Sequence, residues 1–383
     1  MENARNRMQL PVMILRGGAS KGVYLLASDM PSDRGAWDPL LLHLMGSPSK
    51  TQIDGLGGAQ SVTSKVAVVG RSARSDADVD YTFAQVSVDM PLVSYKGNCG
   101  NILSGIGPFA IERGLVPPRE GITSVRIYNT NTDKIIVADV PVQQGRVLYD
   151  GSYAIAGVAG TAAPIRLRFL DPAGTLGRGL LPTGRAVDVL DVPGIGPVSV
   201  SIVDAANPLV FVRAADLGLT GKELPQDING DPALLWLLET VRGMAAVQLG
   251  LLTDHTRSAK ETPGIPKMTF VAAADDYTAV DGSTVRAGEI DLISRMMSMQ
   301  KAHPSYAMTG AMCTAAAAVI PGSVVNQVIR QDMDPQRIRI GHTGGVLECG
   351  VDYRLSDDLP VIEDTFGFRT ANLLLDGAAY VRK

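Results

Sequence analysis

The sequence predicts an α+β protein of two domains. Its 383 residues exceed one ordinary domain, at about 100–200 residues each, and suggest two domains or three small ones. Gly 41 and Pro 23 imply many tight turns, as in a strand-rich chain. Short apolar runs dominate, and a few segments with helical spacing interrupt them. With aromatics at only 5%, Val, Ile, Leu, Ala and Met must fill the core.

Leu10 to Leu15 reads as a short buried strand. It runs into the Gly-rich turn Arg16-Gly17-Gly18-Ala19-Ser20-Lys21-Gly22 and then Val23 to Leu26, a hairpin-like pattern. Asp38 to Met45 is helical, with Leu40, Leu41, Leu44 and Met45 on one face and Gly46-Ser47-Pro48 as its stop. Ser64 to Val69 and Tyr81 to Val88 alternate as strands do. Asn98-Cys99-Gly100-Asn101 opens a helix. Its apolar stripe is Ile102, Leu103, Ile106, Phe109, Ala110 and Ile111, and Gly114 closes it. Val125 to Asn129 and Ile135 to Val140 are strands, and Ile155 to Leu170 is extended.

The Gly/Pro-punctuated stretch Pro182 to Pro197 suggests a domain boundary, giving domains 1–185 and 186–383, with the last strand free to return to the first. Val198 to Val203 and Leu209 to Val212 are strands around Ala206-Asn207-Pro208. Pro232 to Leu251 is a helix with Trp236, Leu237, Val241 and Met244 on one face. Lys267 to Ala273 is a strand, Glu289 to Met297 a helix, and Thr309 to Ile320 a small-residue helical segment. Ile338 to Ile340 is a strand ending in Gly341-His342-Thr343-Gly344-Gly345. Each half thus has a Gly-rich loop and a cysteine near the start of a small-residue segment. A duplicated fold with a cleft between its halves produces this echo, and so does chance.

Composition and motifs exclude several functions. The formal net charge of -4 argues against nucleic-acid binding, which needs a basic excess. No run of about 18 apolar residues exists to span a membrane. Met1 to Leu10 is polar and no signal-peptide core follows, so the expected location is the cytoplasm. The three cysteines, Cys99, Cys313 and Cys349, form no CxxC, and free thiols fit a reducing compartment. The histidines His43, His255, His303 and His342 form no HExxH, so no metal is expected. GxSxG, GxxxxGK[ST] and a strand-placed GxGxxG are absent, so no cofactor is expected either. A homodimer is the default assembly.

Cys99 is the sharpest candidate for chemistry. A thiol at a helix start meets unpaired N–H groups that favour the thiolate, and Gly100 with the asparagines lets a substrate approach. The ordinary alternative is a buried structural cysteine. Lys65 opens the apolar strand Lys65-Val66-Ala67-Val68-Val69 and shares a face with Ala67. Desolvation there favours its neutral, basic amine. A solvent-facing lysine at a strand end is the alternative. Arg16, Ser20 and Lys21 suit a carboxylate, as do His303 and His342 in their loops, and plain turns account for them equally. Cys313 and Cys349 read as core or wall residues.

At these motifs the chain resembles the PrpF family. The matching segments are Arg16-Gly17-Gly18-Ala19-Ser20-Lys21-Gly22, Gln52-Ile53-Asp54-Gly55-Leu56-Gly57-Gly58, Thr63-Ser64-Lys65-Val66-Ala67 and Asn98-Cys99-Gly100-Asn101-Ile102. Gly107-Pro108-Phe109-Ala110-Ile111-Glu112-Arg113-Gly114, Ala206-Asn207-Pro208, Thr309-Gly310-Ala311-Met312-Cys313-Thr314 and Gly341-His342 continue it over nearly the whole chain. Met45-Gly46-Ser47-Pro48 followed by Gln52-Ile53-Asp54-Gly55 resembles most the 4-oxalomesaconate tautomerase branch, which implies a place in aromatic-compound degradation.

The resemblance implies a two-lobed diaminopimelate-epimerase-like fold, each lobe a sheet wrapped around a central helix, with the active site between the lobes. It implies a cofactor-free isomerase of unsaturated di- or tricarboxylates that works through Lys65 and Cys99. Substrate contacts are then expected at Arg16, Gly18, Ser20, Lys21 and Ser64. Asn98, Gly100, Asn101, Asn207 and Thr309 join them, as do His303, Met312, His342, Thr343 and Gly344. The second cysteine of the epimerase pattern falls at Met312 or Cys313. The expected activity is a double-bond shift in an oxo-tricarboxylate. The alternatives are a methylaconitate-type cis–trans isomerase, an amino-acid epimerase or racemase, and a non-enzymatic accessory protein of the same fold.

Overall fold

The computed structural model describes residues 7–95, 99–155, 157–298, 300–356 and 359–382. The chain forms two compact units: Met1–Arg168 with Phe368–Lys383, and Phe169–Gly367. The division falls at Arg168/Phe169, ahead of the boundary placed at 185/186. The Gly/Pro-rich stretch is internal to the second unit, because its backbone is stitched to one hairpin there. Gly174 N–H donates to the Asp204 carbonyl, Asp204 N–H to Leu180, and Asp188–Val192 pairs with Gly196–Ala205.

The first unit is a mixed sheet. Strands β1 (Arg7–Gly17) and β2 (Ser20–Leu26) form an antiparallel hairpin. Strand β3 (Lys65–Arg71) runs parallel to β2, with Gly22 opposite Lys65, and β4 (Val79–Val86) runs antiparallel to β3. The strand Gly121–Asn129 is parallel to β4 and antiparallel to Lys134–Gln143. On the other edge, the end of the last strand pairs antiparallel with β1, from Gly17 opposite Ala371 to Arg7 opposite Arg382.

Side chains alternate across this sheet. Val23, Leu25, Val66, Val68, Ala84 and Val86 pack with Leu40, Leu41, Leu44 and Met45 of helix α1 (Trp37–Met45). The opposite parity, Gly22, Tyr24, Lys65, Ala67, Tyr81, Phe83 and Gln85, faces helices α2 (Gly100–Leu103) and α3 (Ile106–Glu112). Two contacts fix that side: Tyr24 donates its hydroxyl proton to the Ile102 carbonyl at 2.7 Å, and the Tyr24 and Phe109 rings lie 5.8 Å apart. Cover on both faces explains why Val66-Ala67-Val68-Val69 is continuously apolar.

The single helix expected from Asn98 onward is broken in two. Pro108 has no N–H for the Ser104 carbonyl. The Ser104 and Gly105 N–H groups instead turn back tightly to Asn101 and Ile102, at 3.3 and 3.0 Å. Gly105 allows the break to sit against the sheet, where a Cβ would meet Tyr24 Oη at 2.3 Å.

The second unit repeats the same pairing order: antiparallel, parallel, antiparallel, parallel, antiparallel. Its strands, in order, are Gly196–Ala205, Asn207–Arg213, Lys267–Ala273, Leu292–Ser298, Ile338–His342 and Gly345–Ser356. The buried small-residue helix Met308–Ala318 covers one face and helix Pro232–Gln248 the other. This shared order gives the cysteine and Gly-loop echo a structural basis.

Two local expectations change here. Glu289–Met297 is not a helix: a 3-10 turn over Ala287–Glu289 leads into the strand Leu292–Ser298. That strand is covered on both faces, so Leu292, Ile293, Met296 and Met297 are all buried and imitate a helical stripe. Trp236 is 56% exposed, and the buried face of its helix runs instead through Leu238, Val241 and Ala245.

Candidate active site

In the first unit, the β1–β2 turn meets the start of α2. Gly18 has φ +52, the positive value a two-residue hairpin turn requires at its first central position. Arg16 Nη1 donates to the carbonyls of Gly18 and Thr370 and to Thr370 Oγ1, at 3.0, 3.2 and 2.9 Å. Arg16 therefore braces the loop. Asn101 seats directly on the turn: a Cβ at Gly17 would lie 2.4 Å from its carbonyl oxygen, and one at Gly18 2.3 Å from Oδ1. Asn101 Nδ2 donates to the buried Ser20 Oγ at 3.4 Å. Lys21 shares the strand parity of Val23 and Leu25 and pairs across the hairpin with Arg16.

Lys65 is only 9% exposed. Its Nζ donates to Gln85 Oε1 at 2.6 Å and lies 5.2 Å from the centre of the Phe83 ring. Ser64 is fully buried, and its Oγ accepts from Gln52 Nε2 at 2.8 Å. Gln52 also donates to Ser47 Oγ and accepts from Ala59 N–H. The segment from Ser47 to Ala59 is thus scaffolding for the residue before Lys65.

Cys99 is the N-cap of α2, in extended backbone (φ -117, ψ 99) and half-buried. Its carbonyl accepts from Leu103 N–H at 2.9 Å, and its thiol makes no capping bond. Gly100 is the first helical residue. Asn98 lies outside the described residues. The α2 start and Lys65 meet at β2: a Cβ on Gly22, opposite Lys65, would touch Ile102 Cδ1 at 2.7 Å. Burial pushes the phenols of Tyr24 and Tyr81 well above the ordinary value, and nearby Cys99 adds to both shifts. Lys65 and the start of α2 therefore lie on the same face of this sheet.

The second unit gathers a separate set. Asn207 follows Ala206, held at φ +60 at a hairpin tip, where Ala206 N–H donates to the Pro172 carbonyl at 2.8 Å. His303 N–H donates to the Met296 carbonyl, and its Nδ1 accepts from Ser305 N–H at 3.0 Å. Burial lowers its pKa, and Lys267 lowers it further, so the ring is neutral and Nε2 carries the proton. His342 Nδ1 likewise accepts from Gly344 N–H at 3.0 Å, and Thr343 Oγ1 reaches the His303 carbonyl at 3.4 Å. Thr309 lies in the first turn of Met308–Ala318. Met296, whose carbonyl His303 engages, would lie with its Cε 1.9 Å from a Cβ on Gly310. His303 and the 342–344 turn therefore adjoin one another within this unit.

Met312 and Cys313 are both fully buried. Cys313 Sγ donates to the Val203 carbonyl at 3.3 Å, and burial pushes its thiol far up. Cys313 is a core thiol, and Met312 turns toward Gly367.

Lys267 is the residue that motif reading missed. It pairs with Leu209, the third residue of its strand, as Lys65 pairs with Gly22, the third residue of β2. Each lysine opens an apolar strand, and that repeat was the available signal. Lys267 is half-buried, and burial followed by the nearby Arg242 guanidinium lowers its pKa. Glu239 is already committed to Arg242 at 2.7 and 2.5 Å. Among the described residues nothing pairs with Lys267 Nζ, and no group of three His, Cys, Asp or Glu side chains is placed to hold a metal.

The family described as PrpF protein matches residues 7–382. The chain is 44% identical over 379 residues to the 3-methylitaconate isomerase of Eubacterium barkeri, covering 99% of this chain and 98% of that protein. It is 40% identical over 378 residues to the (4E)-oxalomesaconate Delta-isomerase of Novosphingobium sp. (strain KA1), covering 98% and 99%. A crystal structure of methylitaconate-delta-isomerase superposes with a TM-score of 0.92 at 43% identity, over 99% of this chain and 97% of that one. The α+β architecture, the family match over residues 7–382 and these relatives agree: the chain is an isomerase of the PrpF family.

Proposed function

We propose that this isomerase shifts a carbon–carbon double bond in a small unsaturated polycarboxylate, with Lys65 removing a proton and Cys99 returning one. The reading rests on a buried amine and a half-exposed thiol that share one sheet face. A proton on a carbon vinylogous to a carboxylate or carbonyl is acidic because its loss gives a delocalised dienolate. Lys65 Nζ takes that proton and becomes ammonium, while the C–H electron pair spreads into the conjugated system. The Cys99 Sγ–H then protonates the far carbon, which leaves a thiolate. Proton transfer between ammonium and thiolate, directly or through water, restores both groups. Oriented donors such as Ser20 and the α2 N–H groups suit the oxyanion that develops in between.

The itaconate-type shift is the first reading, supported by 44% identity to the 3-methylitaconate isomerase. A 4-oxalomesaconate shift is the second, supported by the relative at 40%. The Gln52-Ile53-Asp54-Gly55 segment does not choose between them, since Gln52 props Ser64 and Ile53 is 89% exposed. A panel of methylitaconate, 4-oxalomesaconate and 2-methylaconitate in deuterated water, followed by ultraviolet absorbance and proton NMR, tests this. We expect turnover of at least one acid with a solvent deuteron at the newly saturated carbon. Deuterium-free product contradicts the relay.

A further inference from the structure

We propose that Gln85 is the positioning residue of Lys65, a neutral acceptor that aims the amine and leaves its lone pair free. The proposal builds on the reading of Lys65 as the proton-abstracting group. Gln85 stands directly opposite Lys65 in the β3–β4 register. Its Oε1 accepts from Nζ at 2.6 Å, and its Nε2 donates to the carbonyls of Ser61 and Ser64 at 3.1 and 2.9 Å. Those two bonds fix the amide orientation. A flipped amide would set its oxygen against two carbonyl oxygens and its NH2 against the amine.

The chemistry follows from a partner without charge. A neutral amine has two N–H bonds and one lone pair; with one N–H given to Oε1, the lone pair remains to accept a proton from carbon. A carboxylate in the same place would hold the ammonium form instead. Gln85 and Phe83 from β4 and Gly22 from β2 adjoin Lys65, Tyr24 and Tyr81 lie on the same sheet face, and Cys99 at the start of α2 lies near those two tyrosines. Both tyrosines stay protonated in this pH range, because burial raises them well above their ordinary value. Among the described residues no carboxylate lies in ion-pair reach of Nζ.

The test uses Gln85→Glu and Gln85→Leu in the full chain, with two readouts. One is the pH profile of kcat/KM. The other is the pH dependence of Lys65 acetylation by an amine-reactive reagent, read by peptide mass spectrometry without any turnover. A glutamate favours the ammonium, so half-labelling of Lys65 in Gln85→Glu should move up by about 1–3 pH units. Its kcat/KM near neutral pH should fall about tenfold or more and recover at alkaline pH. Gln85→Leu should lose kcat at every pH with little change in KM, and it carries the test if the glutamate variant does not fold. A Gln85→Glu labelling curve superimposed on the parent's, or full kcat in Gln85→Leu, overturns the proposal. Shifted labelling with an unshifted rate profile upholds the Gln85–Lys65 coupling and overturns Lys65 as the base.

Discussion

Lys65→Met is expected to lower kcat by about 10²–10⁴-fold, the usual contribution of a positioned general base. Methionine keeps an unbranched stem and removes the amine, which stands 5.2 Å from the centre of the Phe83 ring. The structural cost is small by comparison. The half-buried Gln85 Oε1 loses its donor, at about 1 kcal/mol for one hydrogen bond that water can partly replace, while the sheet register through Val66 and Val68 is untouched. Cooperative unfolding a few degrees below the parent, together with a collapsed kcat, is the expected pair of results. A variant with near-parental kcat contradicts the assignment.

Cys99→Ala is expected to produce a kcat loss of similar size, about 10²–10⁴-fold, with still less effect on stability. The thiol is half-exposed, and the cap it occupies is closed by its carbonyl on Leu103 N–H and not by sulfur. Alanine preserves that backbone bond. Alkylation offers an independent check. Iodoacetamide should modify Cys99 and inactivate the enzyme, while Cys313, fully buried with its thiol pushed far up and donating to Val203, should stay unmodified in the folded state. Inactivation that tracks Cys313, or full activity in Cys99→Ala, contradicts the role given to the thiol.

Much of this site was legible from local pattern. Lys65 opens a run of apolar residues, and a lysine there stands out because both faces of that strand are covered. Cys99 among small polar residues marks a helix start, and it is the N-cap. What local pattern cannot carry is that this lysine and the start of α2 lie on one sheet face. It depends on the parallel pairing of Gly22 with Lys65 and on Ile102 packing over Gly22, both long-range facts. The errors share one cause, the tertiary setting of a short segment. Leu292–Ser298 has the spacing of a helix because it is a strand buried on both sides. Pro108 divides a helix whose apolar stripe is unbroken in sequence. Lys267 becomes notable only once the pairing order of the second unit is seen to repeat that of the first.

The relay assigns removal and return of the proton to different side chains, and one measurement separates them. Cys99→Ala, incubated in deuterated water with an acid the parent enzyme turns over, is followed by proton NMR of the recovered substrate. Lys65 is intact in that variant, and an ammonium exchanges its protons with solvent, so the abstracted position should fill with deuterium while almost no isomer forms. Substrate that keeps all its hydrogen, or isomer formed at the parent rate, contradicts the division of labour between the amine and the thiol.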